Sequence, residues 1–190
     1  MARHKEFEPE EALAKAVMVF WEQGYEKTSM QDLVARMGVH KRSMYDTFGD
    51  KHALFMAALD HYTGSMAAWQ RDVLAAGAGP RDTLRTLLEL VLPVEGRPRG
   101  CLLVNCATEV APYDPEAARR VRRTFDATVR ILEDLVRRGQ QAGEFASRAD
   151  PAELAHRVHN AWLGLRVQAR AGVEAAPLRR LIASTLALLD

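Results

Sequence analysis

Apolar residues recur three or four positions apart along almost the whole chain, which is the spacing of helices that bury one face. The first such run places Leu13, Ala16, Val17 and Phe20 on one side of a helix. No stretch reads convincingly as a strand, so the pattern predicts an all-α fold of about nine helices. The expected helices span about 9–24, 29–38, 41–48, 50–76, 81–92, 101–110, 115 to 139 or 143, 151–172, and a last one from near 177.

Prolines and capping residues mark where these helices begin. Proline is tolerated in a first helical turn but not in a helix interior, and all eight prolines can be placed at helix starts or in connections. Asp114 and Asp150 each precede a proline, which is the order of a capping residue and a first helical residue. Ser29 has Asp32 three residues later, so Ser29 is the expected cap of the second helix. Asp50 is the expected cap of the fourth.

Composition narrows the class of protein. The chain has 190 residues, of which 48% are hydrophobic and 27% charged, as in an ordinary globular protein. Its formal charge is only +1, so any nucleic-acid site must be local. No window approaches 18 uninterrupted apolar residues and no signal peptide is recognisable, which predicts no membrane partner and a cytoplasmic location. With only Cys101 and Cys106, a disulfide framework is excluded.

Two short predicted helices on either side of Gly38 match a helix-turn-helix, whose second helix enters the DNA major groove. Met44 and Phe48 lie on the inward side of that second helix, so the side chains between them point outward. Short basic helices are also common on helical enzymes and scaffolds, which leaves a solvated basic helix as the alternative. The outward residues that can donate to phosphates and base edges are Lys41, Arg42, Ser43 and Thr47.

The stretch GYEKTSMQDLVARMGVHKRSMYDTFGDKHAL resembles the DNA-binding domain of the TetR family of bacterial transcriptional repressors, over residues 10–60. A second stretch, RGQQAGEFASRADPAELAHRV, is similar to the family's connection into its dimerising helices. The resemblance implies a helix-turn-helix domain over 1–50 and an effector-binding and dimerisation domain over 51–190. The helix at about 50–76 would link the two.

The same resemblance implies which residues contact double-stranded operator DNA. Three departures from the family's habit fall on the second short helix: His40 replaces a capping serine, Arg42 replaces a small residue, and Asp46 brings a carboxylate towards DNA. Asp46 is spaced to pair with Arg42 within the helix. The implied phosphate contacts are Thr28, Tyr45 and Lys51, and the implied base contacts are Gln31, Lys41, Arg42, Ser43 and Thr47.

An effector chamber in the C-terminal part is likewise implied by the resemblance, whereas plain core packing explains aromatic residues at helical spacing equally well. His156 and His159 share a helix face, but the chain offers no cluster of further ligands at metal spacing, so neither a metal nor another cofactor is expected. The candidate lining residues are Trp69, Asn105, Tyr113, Phe125, His159, Trp162 and Leu165.

The last predicted helix carries an apolar stripe opposite Arg179 and Arg180. An apolar terminal helix in a small domain indicates that something covers it, and the resemblance implies that a second copy of the chain does so. A homodimer on a roughly palindromic operator is therefore expected. The predicted interface residues are Leu178, Leu181, Ile182, Thr185 and Leu186.

These patterns favour a transcriptional repressor that a small molecule releases from its operator. An alternative on the same fold is a redox or electrophile sensor that uses Cys106 or Cys101, and a more distant one is a helical scaffold without a DNA role. No Ser/His/Asp, Cys/His or paired-carboxylate arrangement stands at an interpretable spacing, so an enzyme is not expected.

Overall fold

The computed structural model describes residues 7–190, so the first six residues of the predicted DNA-binding domain lie outside it. Within that range the chain forms nine α-helices and a terminal 3₁₀ turn without any strand, which confirms the predicted all-α class. The helices are α1 (Pro9–Gln23), α2 (Met30–Met37), α3 (Lys41–Phe48), α4 (Lys51–Ala75), α5 (Pro80–Glu89), α6 (Leu102–Glu109), α7 (Pro115–Gln141), α8 (Pro151–Arg170) and α9 (Ala175–Leu186), with the 3₁₀ turn at Ala187–Leu189.

Side-chain caps begin four helices where the sequence predicts them. Ser29, Asp50, Asp114 and Asp150 each accept a hydrogen bond from a backbone amide of the first turn, at 2.7–3.1 Å between oxygen and nitrogen. These bonds satisfy amides that have no partner within the helix. The starts of α2, α4, α7 and α8 are therefore encoded locally.

Two helix boundaries differ from the sequence-based expectation. Helix α5 ends at Glu89 instead of near residue 92. The residues that follow form hydrogen bonds between residues three apart, as in a 3₁₀ turn, and the Leu90 amide donates to the Leu87 carbonyl at 3.4 Å. Helix α9 begins at Ala175, two residues before Pro177. Proline fits there because amides in the first turn have no helical acceptor.

The buried residues form two hydrophobic clusters. The first joins α1 to α4 through side chains such as Phe20, Leu33, Met44 and Phe55, and it continues into α6 and the start of α7 as far as Val121. The second fills the space between α5, the C-terminal half of α7, α8 and α9. The first three helices therefore share one core with α4 and α6.

Helix α9 corrects the prediction for the dimer interface. Four of the five predicted residues are buried within the chain itself, because α9 packs its apolar stripe on α5 and α8. Only Leu181 is exposed, at 37% of its full surface. The periodicity found the apolar face correctly, but that face covers the chain's own second cluster. The buried four are Leu178, Ile182, Thr185 and Leu186.

Two helical glycines give opposite expectations for stability. A Cβ on Gly139 would lie 2.1 Å from ring carbons of Phe145, which is itself 3% exposed and unable to move away. Gly139→Ala should lower the free energy of unfolding by about 1–3 kcal/mol through overpacking.

Around Gly64, the position of an added Cβ is open space. Gly64→Ala should therefore raise the free energy of unfolding by about 0.5–1 kcal/mol. Urea unfolding at one protein concentration measures both, and effects of equal sign would contradict this packing.

Candidate DNA-binding surface and effector cavity

Local bonds fix the start and end of α2, the first helix of the helix-turn-helix. The Ser29 hydroxyl accepts from the Asp32 amide at 3.1 Å, and the Asp32 carboxylate accepts from the Ser29 amide at 2.9 Å. This reciprocal pair confirms the predicted cap. Gly38 then adopts a left-handed conformation with φ of 69°, which turns the chain into α3 at little steric cost.

Helix α3 presents a polar outer face. Met44 is fully buried and anchors the helix to the first cluster, and the predicted contacts lie on its other sides. Lys41, Arg42 and Tyr45 are exposed, as is Gln31 on α2, whereas Ser43 and Thr47 are partly buried. The exposed residues of α2 and α3 therefore include cationic, hydroxyl and amide donors.

The residues at which α3 differs from the family's usual sequence change its local contacts. His40 makes no side-chain cap, as the sequence predicts, so the first turn of α3 lacks the stabilisation that α2 has. Arg42 Nε lies 3.9 Å from the Asp46 carboxylate, and both side chains are largely exposed. Such an exposed pair contributes little to stability in water.

Thr28 corrects one predicted phosphate contact. Its side chain is 1% exposed, and its hydroxyl donates to the Gly24 carbonyl at 2.5 Å. The Thr28 amide also donates, to the Tyr25 carbonyl at 3.3 Å. Because both donors are used inside the turn between α1 and α2, Thr28 shapes that turn and has no free donor for a phosphate.

Lys51 begins α4 next to the same turn. Its ammonium lies 3.4 Å from the Glu26 carbonyl and 4.4 Å from the centre of the Tyr25 ring. These contacts use only part of the hydrogen-bonding capacity of an ammonium group, which has three donors. A phosphate oxygen can therefore be bound on its outer side.

A carboxylate from α6 holds the turn between α1 and α2. Glu109 accepts from the Tyr25 amide at 3.0 Å and from the Glu26 amide at 2.9 Å, across 84 and 83 residues of sequence. Gly24 makes the approach possible, since a Cβ there would lie 2.9 Å from the Glu109 carboxylate, and its φ is 87°. The end of α6 is thus bonded directly to the helix-turn-helix head.

A second contact joins the start of α4 to the start of α7. His52, in the first turn of α4, lies 2.5 Å from the carboxylate of Asp114, the cap of α7. Partial burial raises the pKa of the Asp114 carboxyl. Hydrogen bonds from His52 and from the Ala117 and Glu116 amides outweigh this effect and hold the pKa below its usual value. Asp114 is therefore charged at neutral pH and supports both helices.

A cavity of about 620 Å³ opens between α4, α6, α7 and α8. Three of the predicted lining residues border it: Phe125, His159 and Trp162. Burial, together with the positive charges of Arg166 and His156, lowers the pKa of His159 to about 4, so its imidazole is neutral at pH 7. The cavity lies within the volume range of small-molecule sites.

The other four predicted residues do not border the cavity. Tyr113 is 88% exposed in the turn between α6 and α7, while Trp69 and Leu165 pack with the second cluster. Asn105 has a buried amide nitrogen without a hydrogen-bond partner in the described part of the chain. Helical spacing placed these residues on the right helices, but it does not distinguish a wall of the cavity from the packed core beside it.

Sequence reasoning missed Arg166, which lies in the cavity wall. Its guanidinium stacks on the Trp162 ring, 4.3 Å from the ring centre, beside Tyr62 and Cys101. The signal was present, because Arg166 follows the singled-out Trp162 by four residues and so shares its helix face. Tyr62 donates to the Cys101 sulfur at 3.3 Å, and burial, followed by the proximity of Cys101, raises the pKa of Tyr62 well above its normal value.

The two cysteines differ in their surroundings. Both are buried and reduced. Cys101 borders the cavity, whereas Cys106 does not. Burial, together with the negative charges of Asp114 and Glu109, raises the pKa of the Cys106 thiol to about 12, so this thiol is almost entirely protonated at neutral pH.

Among residues 7–190, no three His, Cys, Asp or Glu side chains form a group that could hold a metal ion. No helix in that range is long and apolar enough to cross a bilayer.

Removal of the Glu109 carboxylate tests the bond between α6 and the head. Glu109→Ala leaves the Tyr25 and Glu26 amides without their acceptor and should lower the free energy of unfolding by about 1.5–3 kcal/mol. The control Glu153→Ala removes an exposed carboxylate that pairs with Arg157 within α8, and it should cost about 0.5 kcal/mol or less. Urea unfolding compares the two. Equal, small losses would show that the Glu109 bonds contribute nothing.

Both the N-terminal and the C-terminal part of the chain match known protein families. Residues 12–58 match the family model for bacterial regulatory proteins of the tetR family. Residues 81–185 match the model for the tetracyclin repressor-like C-terminal domain.

Individual relatives agree. The chain is 31% identical to the uncharacterized HTH-type transcriptional regulator YezE of Bacillus subtilis, over 100% of both chains. It is 28% identical to the HTH-type transcriptional repressor ComR of Escherichia coli, over 98% of this chain and 90% of that protein. A solved cysteine mutant of the TetR family transcriptional regulator CifR, complexed with 26-bp double-strand operator DNA, matches with a TM-score of 0.87 and 30% identity over 100% of both chains. The chain therefore belongs to the TetR family of DNA-binding transcriptional regulators.

Proposed function

We propose that this protein is a cytoplasmic repressor that binds a palindromic operator as a homodimer and releases it when a small molecule enters the 620 Å³ cavity. The observation that carries the proposal is the bonding of Glu109 to the head. Helix α6 borders the cavity at one end and holds the helix-turn-helix at the other. ComR, a similar protein, is itself a repressor, which supports repression as the output. No catalytic step is part of the proposal.

In the proposed complex, α3 lies in the major groove. Tyr45 and Lys51 bind phosphates, while Arg42 is suited to guanine and Gln31 to adenine. Lys41, Ser43 and Thr47 complete the base contacts. Thr28 is left out because its donors are already used within its own turn.

The proposed dimer uses the faces of α8 and α9 that the chain does not cover itself. Val167 on α8, Leu181 on α9 and Leu188 in the terminal turn are all exposed large apolar residues. Contact between two copies through these faces buries them and sets the two α3 helices apart. Their separation must equal about one turn of DNA, roughly 34 Å, or a small multiple of it, for both to enter the groove.

Effector binding acts by changing that separation. Leu103 and Val104 of α6 and Tyr62 of α4 border the cavity, so an occupant that favours a different position of α6 also moves Glu109. The two heads follow through the Tyr25 and Glu26 amides. The operator and the effector then prefer different arrangements of the dimer, and each weakens the binding of the other by the same factor.

Two substitutions separate base recognition from phosphate binding, on an operator selected from random DNA by the wild-type protein. Arg42→Ala should weaken binding by about 1–3 kcal/mol per half-site and relax the preference at one base pair. Lys51→Ala should weaken binding to all sequences alike. Because a dimer loses two phosphate contacts, the slope of log K against log salt should become shallower by about 1.8.

Fluorescence anisotropy at several salt concentrations measures both effects. Arg138→Ala is the matched control, since Arg138 is an exposed arginine near the end of α7 whose partner is Asp134. It should leave affinity and slope unchanged. Wild-type behaviour in the two test variants, or a comparable loss in the control, would contradict the assignment of α3 and Lys51.

A thiol sensor is the second candidate, and the structure favours Cys101 over Cys106 for that role. Cys101 borders the cavity beside Arg166 and Tyr62, where an oxidant or electrophile that enters the cavity meets it. Hypochlorite titration of the operator complex, with Cys101→Ser and Cys106→Ser beside the wild type, tests this candidate. A response lost only in Cys101→Ser supports it, and an unchanged response in both variants excludes it.

The raised pKa of Cys106 gives a separate prediction. With a pKa of about 12, only about one thiol in 10,000 is ionised at pH 8, so Cys106 should react with iodoacetamide at least a hundredfold more slowly than a free thiol. Mass spectrometry of the labelled native protein measures the rate, and labelling in urea provides the reference. Equal rates in the native and unfolded protein would contradict the described environment of Cys106.

A further inference from the structure

The cavity wall contains a cation without a carboxylate partner. Arg166 borders both the 620 Å³ cavity and a smaller one of about 150 Å³. No Asp or Glu oxygen of residues 7–190 lies within 4.0 Å of its guanidinium. Burial lowers the pKa of Arg166, but Cys101 and Tyr62 more than compensate, and the net pKa lies above its ordinary value. The guanidinium is therefore charged.

The other charged groups around the cavity do not neutralise it. Asp60 is bonded to Arg120, with nitrogen–oxygen distances of 2.9 and 3.1 Å. Arg71 and Arg123 are exposed residues of the cavity lining and form no ion pair within residues 7–190. With His159 neutral at pH 7, the lining carries three guanidinium groups and one carboxylate that is already paired. The cavity lining therefore carries more positive than negative charge.

We propose that the cavity takes a small organic monocarboxylate, with its carboxylate bound to Arg166. The inference rests on the proposed function, since it names the class of effector that would occupy the cavity. Arg166 is partly withdrawn from water, where an unpaired charge is costly, and a guanidinium fits a carboxylate with two parallel hydrogen bonds. The Tyr62 hydroxyl lies beside Arg166 and donates its proton to the Cys101 sulfur, so the guanidinium is the group that supplies the hydrogen bonds to the carboxylate.

The rest of the lining defines the body of this ligand. It is mainly apolar, so the ligand needs an aliphatic or aromatic body that replaces water against these side chains. The single positive charge of Arg166 matches the single negative charge of one carboxylate. The apolar lining includes Met66, Leu103, Val104, Phe125, Ile131 and Leu163.

The position of the proposed carboxylate also suits regulation. Arg166 belongs to α8, Tyr62 to α4, and Cys101 directly precedes α6. An anion bound at this point draws three helices towards one centre. Two of them, α4 and α6, lead to the head through Lys51 and Glu109.

Matched pairs of acids and amides test the charge requirement directly. The probes are 4-phenylbutyrate, octanoate and indole-3-propionate, each compared with its own primary amide by isothermal titration calorimetry on the full-length protein. At least one acid should bind the wild type about 10- to 100-fold more tightly than its amide, as expected when a charged pair with hydrogen bonds is lost. If no acid in the panel binds more tightly than its amide, the proposal is overturned.

Substitution of the arginine then assigns the preference to its residue. Arg166→Met should abolish the preference for acid over amide. Arg166→Lys keeps the charge but loses the planar guanidinium, so it should reduce the preference for acid over amide several-fold. This variant tests the role of Arg166 if the Met variant does not fold. Arg157→Met, an exposed position on the same helix, should keep the wild-type preference. A preference that survives in both Arg166 variants would also overturn the proposal.

A separate readout keeps the proposed function distinguishable. Operator binding by the wild-type protein is measured alone and with each acid and each amide. Operator release by amides as well as acids would leave a ligand-responsive repressor in place while contradicting the carboxylate requirement. Failure to bind any selected DNA would overturn the repressor, while the calorimetry would still decide whether Arg166 binds a carboxylate.

Discussion

The two hydrogen bonds that Glu109 accepts from the Tyr25 and Glu26 amides are the contacts on which this structure depends most. They join the last residue of α6 to the turn that precedes α2. Gly24 is required beside them, because a Cβ would collide with the carboxylate. Since the first hydrophobic cluster also runs from α1 to α7, the head and the effector region meet through one packed core and one carboxylate. These contacts are the route by which the proposed displacement of α6 would reach the head.

The cavity differs, because Arg166 in its wall has no carboxylate partner within residues 7–190. Proteins generally pair charges that are withdrawn from water, because an unpaired one lowers stability. Here Trp162 stacks on the guanidinium and Tyr62 and Cys101 lie beside it, but none of these side chains is a carboxylate. A ligand that brings the missing charge gains from the same feature, which gives the cavity a chemical preference as well as a volume.

The sequence predicted much of the fold because helix caps and prolines act locally. Ser29, Asp50, Asp114 and Asp150 begin their helices as expected, and the resemblance to a family of regulators is confirmed. Contacts between distant residues were not predictable in this way: Glu109 lies 84 residues from Tyr25, and no local pattern links them. Periodicity also predicts which face of a helix is apolar, but not what packs against that face. For this reason the sequence predicts a partner for the α9 stripe and the cavity for Trp69, whereas both pack with the second cluster.

Hydrogen exchange at the Tyr25 and Glu26 amides, followed by NMR with and without the tightest-binding carboxylate, tests the coupling most directly. Both amides are protected only while Glu109 accepts from them. The carboxylate is expected to reduce the protection of both amides at the concentrations that release the operator. Operator release with unchanged protection at both amides would contradict it.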